Sequence, residues 1–81
     1  MKTNELKKGM MVALRNGWKA EIADNKKGNV RMATVYGYET EMGSIYAHDI
    51  AWALVDGTLV SIEYTKDQLN LRETLRLLEA A

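Results

Sequence analysis

The stretch Lys8–Val35 decides the fold and reads KGMMVALR, NG, WKAEIAD, NKKGN, VRMATV. In its three apolar runs, hydrophobic side chains recur at every second residue, the period of a strand with one buried face. Asn16-Gly17 joins the first two runs and favours a type I′ turn, because both residues tolerate positive φ angles. The pattern predicts a three-stranded antiparallel meander. Its predicted core-facing residues are Met10, Val12 and Leu14, then Trp18, Ala20 and Ile22, then Val30, Met32, Thr34 and Tyr36.

Further strands are predicted downstream of this meander. Ser44–Ala47 reads as a short fourth strand, and Ile50–Val55 as another. Asp56-Gly57 then gives a hairpin signal ahead of the β-rich run Leu59–Tyr64. Because a meander alone leaves an apolar face and two open edges, the remaining chain must cover them. We expect a mainly β protein, a small antiparallel barrel of five or six short strands.

A C-terminal α-helix is predicted over residues 65–81, which divides the single domain into a barrel (1–64) and a helix. Thr65 and Gln68 have the spacing of a capping box at the helix start. Leu71, Leu75 and Leu78 form one stripe that we expect to pack on the barrel. Leu69 and Leu77 lie off that stripe and are available to contact a second subunit, so a homo-oligomer is one of the alternatives that we retain.

The composition excludes several classes of chemistry. The 81 residues contain no cysteine and one histidine, so there is no disulfide framework, no thiolate and no Cys-based zinc site. No stretch is long and apolar enough to read as a membrane span or signal peptide, so we expect a cytoplasmic protein. His48-Asp49 is the only His-carboxylate step, and neither Ser44 nor Ser61 has a spacing that ties it to His48. We therefore expect no enzyme, no metal and no cofactor.

The charge is balanced in total but uneven along the chain. Eleven basic and eleven acidic residues give zero net charge, yet residues 1–35 sum to +5 and residues 36–81 to −5. A basic face for an anionic partner is one interpretation. We favour the other, that the two halves interleave in space and neutralise each other.

Candidate binding residues come from exposed aromatics and turn cations. Trp18 and Trp52 are expected in the core, because a barrel without phenylalanine needs their volume. The lysines of the Asn25–Asn29 turn, with the arginine that follows, can hold an anionic group, although they are also ordinary hairpin-tip residues. The candidate binding residues are Tyr38, Tyr46, His48, Arg31, Lys26 and Lys27.

Two resemblances extend this reading. Leu6, Gly9, Val12, Leu14 and Gly17 have the spacing LxxGxxVxLxxG, which resembles the opening strand of SH3-like and KOW-like small barrels. The longer pattern LRNG…DNKKGN.R…V.G..TE.GSIY.HDI, residues 14–50, is similar to small uncharacterised phage and prophage proteins. The resemblances imply an SH3-like barrel, and they transfer no assigned chemistry.

Three hypotheses follow for function. The first is a non-enzymatic interaction module, a phage accessory protein that binds a host or phage protein, for example to counter host defence. The second is a KOW-like module that binds nucleic acid through the basic first half, which the zero net charge weakens. The third is capture of a small anionic ligand such as a nucleotide at a subunit interface, an analogy with phage proteins in general.

Overall fold

The structure, a computed structural model, describes residues 1–24 and 29–80. It contains six strands, two short 3-10 turns and one helix. The strands are β1 Met11–Leu14, β2 Lys19–Ile22, β3 Val30–Tyr36, β4 Thr40–Tyr46, β5 Ile50–Val55 and β6 Thr58–Ser61; the 3-10 turns are Thr3–Glu5 and Ala47–Asp49; the helix α1 is Lys66–Ala80. The predicted class, mainly β with six short antiparallel strands and a C-terminal helix, is confirmed.

All six strands belong to one antiparallel sheet with the order β4-β3-β2-β1-β5-β6. After β4 the chain returns across the sheet through the 3-10 turn Ala47–Asp49 and pairs β5 with β1. That turn is fixed at both ends, since Ala47 N–H donates to the Asn29 carbonyl at 2.8 Å and Arg15 N–H donates to the Asp49 carbonyl at 2.8 Å. This crossing curls the sheet around one interior, which is consistent with a small barrel.

The β1–β2 connection differs from the predicted type I′ turn. Gly17 has φ +92°, but Asn16 has no positive φ. Gly17 N–H donates to the Leu14 carbonyl at 3.0 Å, and Leu14 N–H donates to the Trp18 carbonyl at 2.7 Å, which makes a three-residue loop with glycine in its left-handed position. The two-residue turn with both φ values positive occurs instead at Asp56 (50°) and Gly57 (79°).

Gly17→Val is expected to lower the free energy of unfolding by about 1–2 kcal/mol, because a β-branched residue is strained at positive φ. No heavy atom lies within 4 Å of a Cβ built at this position, so the cost is backbone strain alone. Thermal denaturation followed by circular dichroism measures it. Gly43→Val, at a glycine of β4 without a positive φ, is the matched control. Equal melting temperatures for the two variants would contradict the strained-turn assignment.

The core is built from aliphatic side chains of every strand except β4 and β6. Its buried members are Leu6, Val12, Leu14, Ala20, Ile22, Ala33, Ile50, Ala53 and Ile62. The predicted faces of β1 and β2 are confirmed by Val12, Leu14, Ala20 and Ile22. Ala20, Ala33 and Ala53 have no exposed surface, so inward positions on β2, β3 and β5 hold small side chains.

Two predictions about the core are wrong. On β3 the inward residues are Arg31 and Ala33, not the alternate set that begins at Val30, so the strand faces the core with its other side. Trp18 and Trp52 are 38% and 46% exposed. Trp52 lies on the outer face because its neighbour Ala53 takes the inward position.

The helix begins as predicted but is only partly covered. Thr65 N–H donates to Gln68 Oε1 at 3.0 Å, and Gln68 N–H donates to Thr65 Oγ1 at 3.1 Å, which confirms the capping box. Leu71 and Leu75 are partly buried, whereas Leu78 is 67% exposed. The expected stripe is therefore partly buried as far as Leu75, and the last turn of the helix, which carries Leu78, borders an open space.

Candidate functional site

An open cleft of about 620 Å³ lies between β4 and the end of α1, where Glu79 lines it. Its floor is the inner face of the sheet, with Leu14, Val35 and Ile45. One wall is β4, and the opposite wall is the β1–β2 turn together with Asp49 and Glu79. The full lining is Leu14, Arg15, Asn16, Trp18, Val35, Glu41, Met42, Gly43, Ser44, Ile45, Tyr46, Asp49 and Glu79. This cleft is the candidate binding site.

The rim of the cleft exposes large side chains. Trp18, Met42 and Tyr46 are 38%, 63% and 41% exposed. Trp18 is held in place by Gly37, because a Cβ at that glycine would lie 2.6 Å from the indole ring. Tyr38 then packs edge-on against the indole, with ring centroids 5.6 Å apart and planes at 80°. Flat rings of this kind, fixed at the mouth of a cleft, supply contact area at low entropic cost.

The charges lining the cleft are mainly negative. The Arg15 guanidinium and the Asp49 carboxylate lie 3.7 Å apart across the β1–β2 turn. Glu41 on β4 and Glu79 on α1 add two further carboxylates on either side. One cation against three anions leaves the cleft with a net charge of −2. This sign favours a neutral or basic ligand over a phosphate.

His48 lies at the end of the cleft, buried behind Tyr46. The two rings stack with centroids 5.0 Å apart and planes at 9°, and His48 Nε2 is 3.6 Å from Asp49 Oδ1. His48 is 3% exposed, and its Nδ1 has no hydrogen-bond partner within the described part of the chain. The His48 pKa is lowered, mainly by burial; Asp49 opposes this, and Arg15 and Arg72 add to it.

The stability of the fold is expected to fall as the pH drops below about 6.5, the ordinary histidine value. The unfolded chain binds the His48 proton first, because the folded-state pKa is the lower one. The stabilisation is therefore complete above the unfolded pKa and is lost as the pH falls through the folded pKa. Urea midpoints between pH 5 and pH 8 measure it, with His48→Phe as control. A midpoint that falls equally in this window in wild type and in His48→Phe would show that other groups cause it.

The predicted site residues are not all brought together. Tyr46 lines the cleft, Tyr38 stands next to it at 97% exposure, and His48 supports Tyr46 from behind. Arg31 is placed elsewhere: it is fully buried, and its guanidinium donates to Asn4 Oδ1 and to the Val30 carbonyl, both at 2.9 Å. This is a structural position, not an accessible phosphate fork. Lys26 and Lys27 lie outside the described residues.

Several cleft residues were not singled out from the sequence for binding. These are Trp18, Met42, Gly43 and Glu79. The exposed Met42 at an alternating position of a strand was a usable signal, since apolar side chains on an outer face often mark a contact surface. Glu79 had no signal, because its place depends on how the helix docks.

Among residues 1–24 and 29–80, no serine or threonine hydroxyl forms a hydrogen bond with the His48 side chain. The Ser44 hydroxyl donates to Met32 Sδ at 3.3 Å on the outer face of the sheet. Within residues 1–24 and 29–80, no cluster of three His, Asp or Glu side chains has the geometry of a metal site. Nor does that part of the chain include a helix with the length and apolar character of a transmembrane segment. What the cleft offers is contact area, main-chain groups and negative charge.

Comparison with known proteins identifies no relative: no family model, no curated protein and no solved structure matches this chain.

Proposed function

We propose that this protein is a non-enzymatic binding module that recognises another protein through the cleft between β4 and α1. The observation that carries the proposal is an open cleft with an apolar floor and a rim of fixed, exposed rings. Such a surface is typical of protein recognition, where aromatic anchors give most of the binding energy. The resemblance to phage proteins supports a phage accessory protein acting on a host or phage protein in the bacterial cytoplasm.

The charge of the cleft separates this proposal from the alternatives. Nucleic-acid binding draws most of its affinity from Lys and Arg contacts to phosphates. The cleft carries one arginine, and that arginine faces the Asp49 carboxylate at 3.7 Å. A nucleotide would meet the same net negative charge. A protein surface with apolar and basic side chains is the better complement.

Site-specific photocross-linking tests the proposal. A photoreactive amino acid replaces Met42, which lies at the rim of the cleft on the outer face of β4, and in a matched control it replaces Leu59 on β6. Both side chains are exposed, at 63% and 61%, so the two probes differ in place and not in access to solvent. Cells are irradiated, and adducts are separated with and without nuclease treatment.

The expected result is a discrete protein adduct from position 42 that is absent from position 59 and resists nuclease. Adducts that disappear with nuclease would replace the proposal by nucleic-acid binding. An adduct whose mass equals two copies of this chain would replace it by self-association. Identical adducts from both positions would show that the cleft is not the contact surface.

A further inference from the structure

The two edges of the sheet differ in which parts of the chain lie beside them. At the β6 edge, the N-terminus folds back: the Met1 amino group donates to the Ser61 carbonyl at 3.0 Å, and Glu63 N–H donates to the Met1 carbonyl at 2.7 Å. Lys2 continues this with a parallel bridge to Glu63. At the other edge, β4 pairs with β3, and no other strand among the described residues pairs with it. The β6 edge is covered at its C-terminal end, and the β4 edge has no neighbouring strand among the described residues.

The open edge lacks the features that usually protect a strand from pairing. β4 runs for seven residues in an unbroken register with β3, from Tyr36↔Thr40 to Val30↔Tyr46, without a bulge. Its sequence TEMGSIY contains no proline and no lysine, and Glu41 is its only charge. Natural edge strands are normally short, bulged or charged to prevent addition of another strand. A long, regular, open edge is a template for strand addition.

The candidate cleft follows this edge. Six consecutive residues of β4, positions 41–46, line it, although successive side chains of a strand point to opposite faces. The cleft therefore borders the main chain of β4, and the β1–β2 turn and Glu79 close its far side.

We propose that the cleft binds an extended segment of a partner protein, which adds to β4 as a seventh, antiparallel or parallel strand. This inference rests on the proposed function and names its recognition mode. The main chain of β4 supplies hydrogen bonds, and side-chain pockets select the sequence, as in other cases of strand addition. Alternate apolar side chains of the segment pack on the floor formed by Leu14, Val35 and Ile45. A lysine or arginine of the segment meets the carboxylates of Glu41 and Glu79.

Gly43 gives the proposal a specific test. It pairs with Ala33 on the inner face, halfway along β4, and no heavy atom lies within 4 Å of a Cβ built there. The space above it belongs to the cleft. Gly43→Val is therefore expected to keep or raise the melting temperature, since valine favours a strand, while its side chain fills the part of the cleft in which the apolar side chains of the added segment pack. Ser44→Val is the matched control, because residue 44 points to the opposite face.

The probe is a library of random linear peptides, selected for binding to the full chain. Selected peptides are expected to alternate apolar residues and to carry a basic residue, and Gly43→Val is expected to weaken their binding roughly tenfold or more. Ser44→Val is expected to retain it. In amide hydrogen exchange, the bound peptide should protect alternate amides of β4, because every second N–H of an edge strand points outward.

Two results would overturn strand addition. If peptides bind the wild type and Gly43→Val equally, the side chains of the segment do not pack in the cleft over the inner face of β4, and the proposed seating of the added strand is wrong. If they bind but leave the β4 amides unprotected, recognition uses the side chains of the cleft alone. In both cases a protein adduct from position 42 would still support the proposed function. Loss of that adduct with intact peptide binding would instead reject the proposed function and retain the strand-binding edge.

Discussion

Arg31→Ala is expected to lower the free energy of unfolding by about 3–5 kcal/mol, the sum of a cavity and of acceptors left without their donor. Arg31 has no exposed surface, and its guanidinium donates to Asn4 Oδ1 and the Val30 carbonyl. Burial lowers the pKa of this guanidinium, since the charged form loses water. A domain of this length has a total free energy of unfolding of about 4–12 kcal/mol, so the variant is expected to be largely unfolded or close to it.

Urea denaturation followed by tryptophan fluorescence measures this effect. Arg31→Met retains an unbranched side chain of comparable length. It is expected to lower the free energy of unfolding less than Arg31→Ala does, because apolar replacements of buried charges are often tolerated. Arg76→Ala on the exposed face of α1 removes an arginine from its pair with Glu73 and is expected to leave the midpoint unchanged. An Arg31→Ala midpoint equal to that of Arg76→Ala would refute a structural role for Arg31.

Arg31 also shows why the sequence pattern failed on β3. Hydrophobicity favours the side that carries Val30 and Met32, and a guanidinium in the core is costly unless hydrogen-bonded. The groups that satisfy it include Asn4, which is 27 residues away in the chain. No local pattern indicates that contact. The faces of β1 and β2 were predictable because their inward residues are all apolar.

The candidate site was predictable only in part, for a related reason. Tyr38 and Tyr46 were correctly expected at the surface, since a tyrosine beside a turn or at a strand end keeps its hydroxyl in water. The cleft itself depends on three segments meeting: β4, the β1–β2 turn and the end of α1. The sequence predicted the helix and the β1–β2 hairpin, but only the last part of β4 and not how the three segments meet. It placed Trp18 in the core because a barrel without phenylalanine was expected to need the volume of the ring.

Gln68→Ala is the second substitution with a large expected effect, about 2–3 kcal/mol, because this side chain joins the helix to the N-terminal 3-10 turn. Gln68 is 2% exposed; its Nε2 donates to Thr3 Oγ1 at 2.9 Å, while its Oε1 accepts from Thr65 N–H. Alanine removes the acceptor of the Thr65 N–H, one half of the capping box, and leaves the Thr3 hydroxyl, itself 1% exposed, without this donor. Thr65→Ala removes the capping hydroxyl alone and is expected to cost about 1 kcal/mol.

A double-mutant cycle separates docking of the helix from its capping. Thr3→Val removes the hydroxyl that accepts from Gln68 Nε2, so after Thr3→Val the further change Gln68→Ala should cost less than it does in the wild type. The cycle of Thr65→Ala with Thr3→Val is expected to be additive, because the two hydroxyls accept from different groups of Gln68, its main-chain N–H and its Nε2. Unfolding is followed by far-UV circular dichroism and by tryptophan fluorescence. Because α1 contains no tryptophan, the fluorescence reports unfolding of the barrel and not of the helix. If the helix of Gln68→Ala detaches before the barrel unfolds, its dichroism transition comes earlier than its fluorescence transition. In Thr65→Ala the two transitions are expected to coincide. If the losses in free energy of unfolding caused by Thr3→Val and Gln68→Ala are additive, the hydrogen bond between the two side chains does not hold the helix, and with it Glu79, against the sheet.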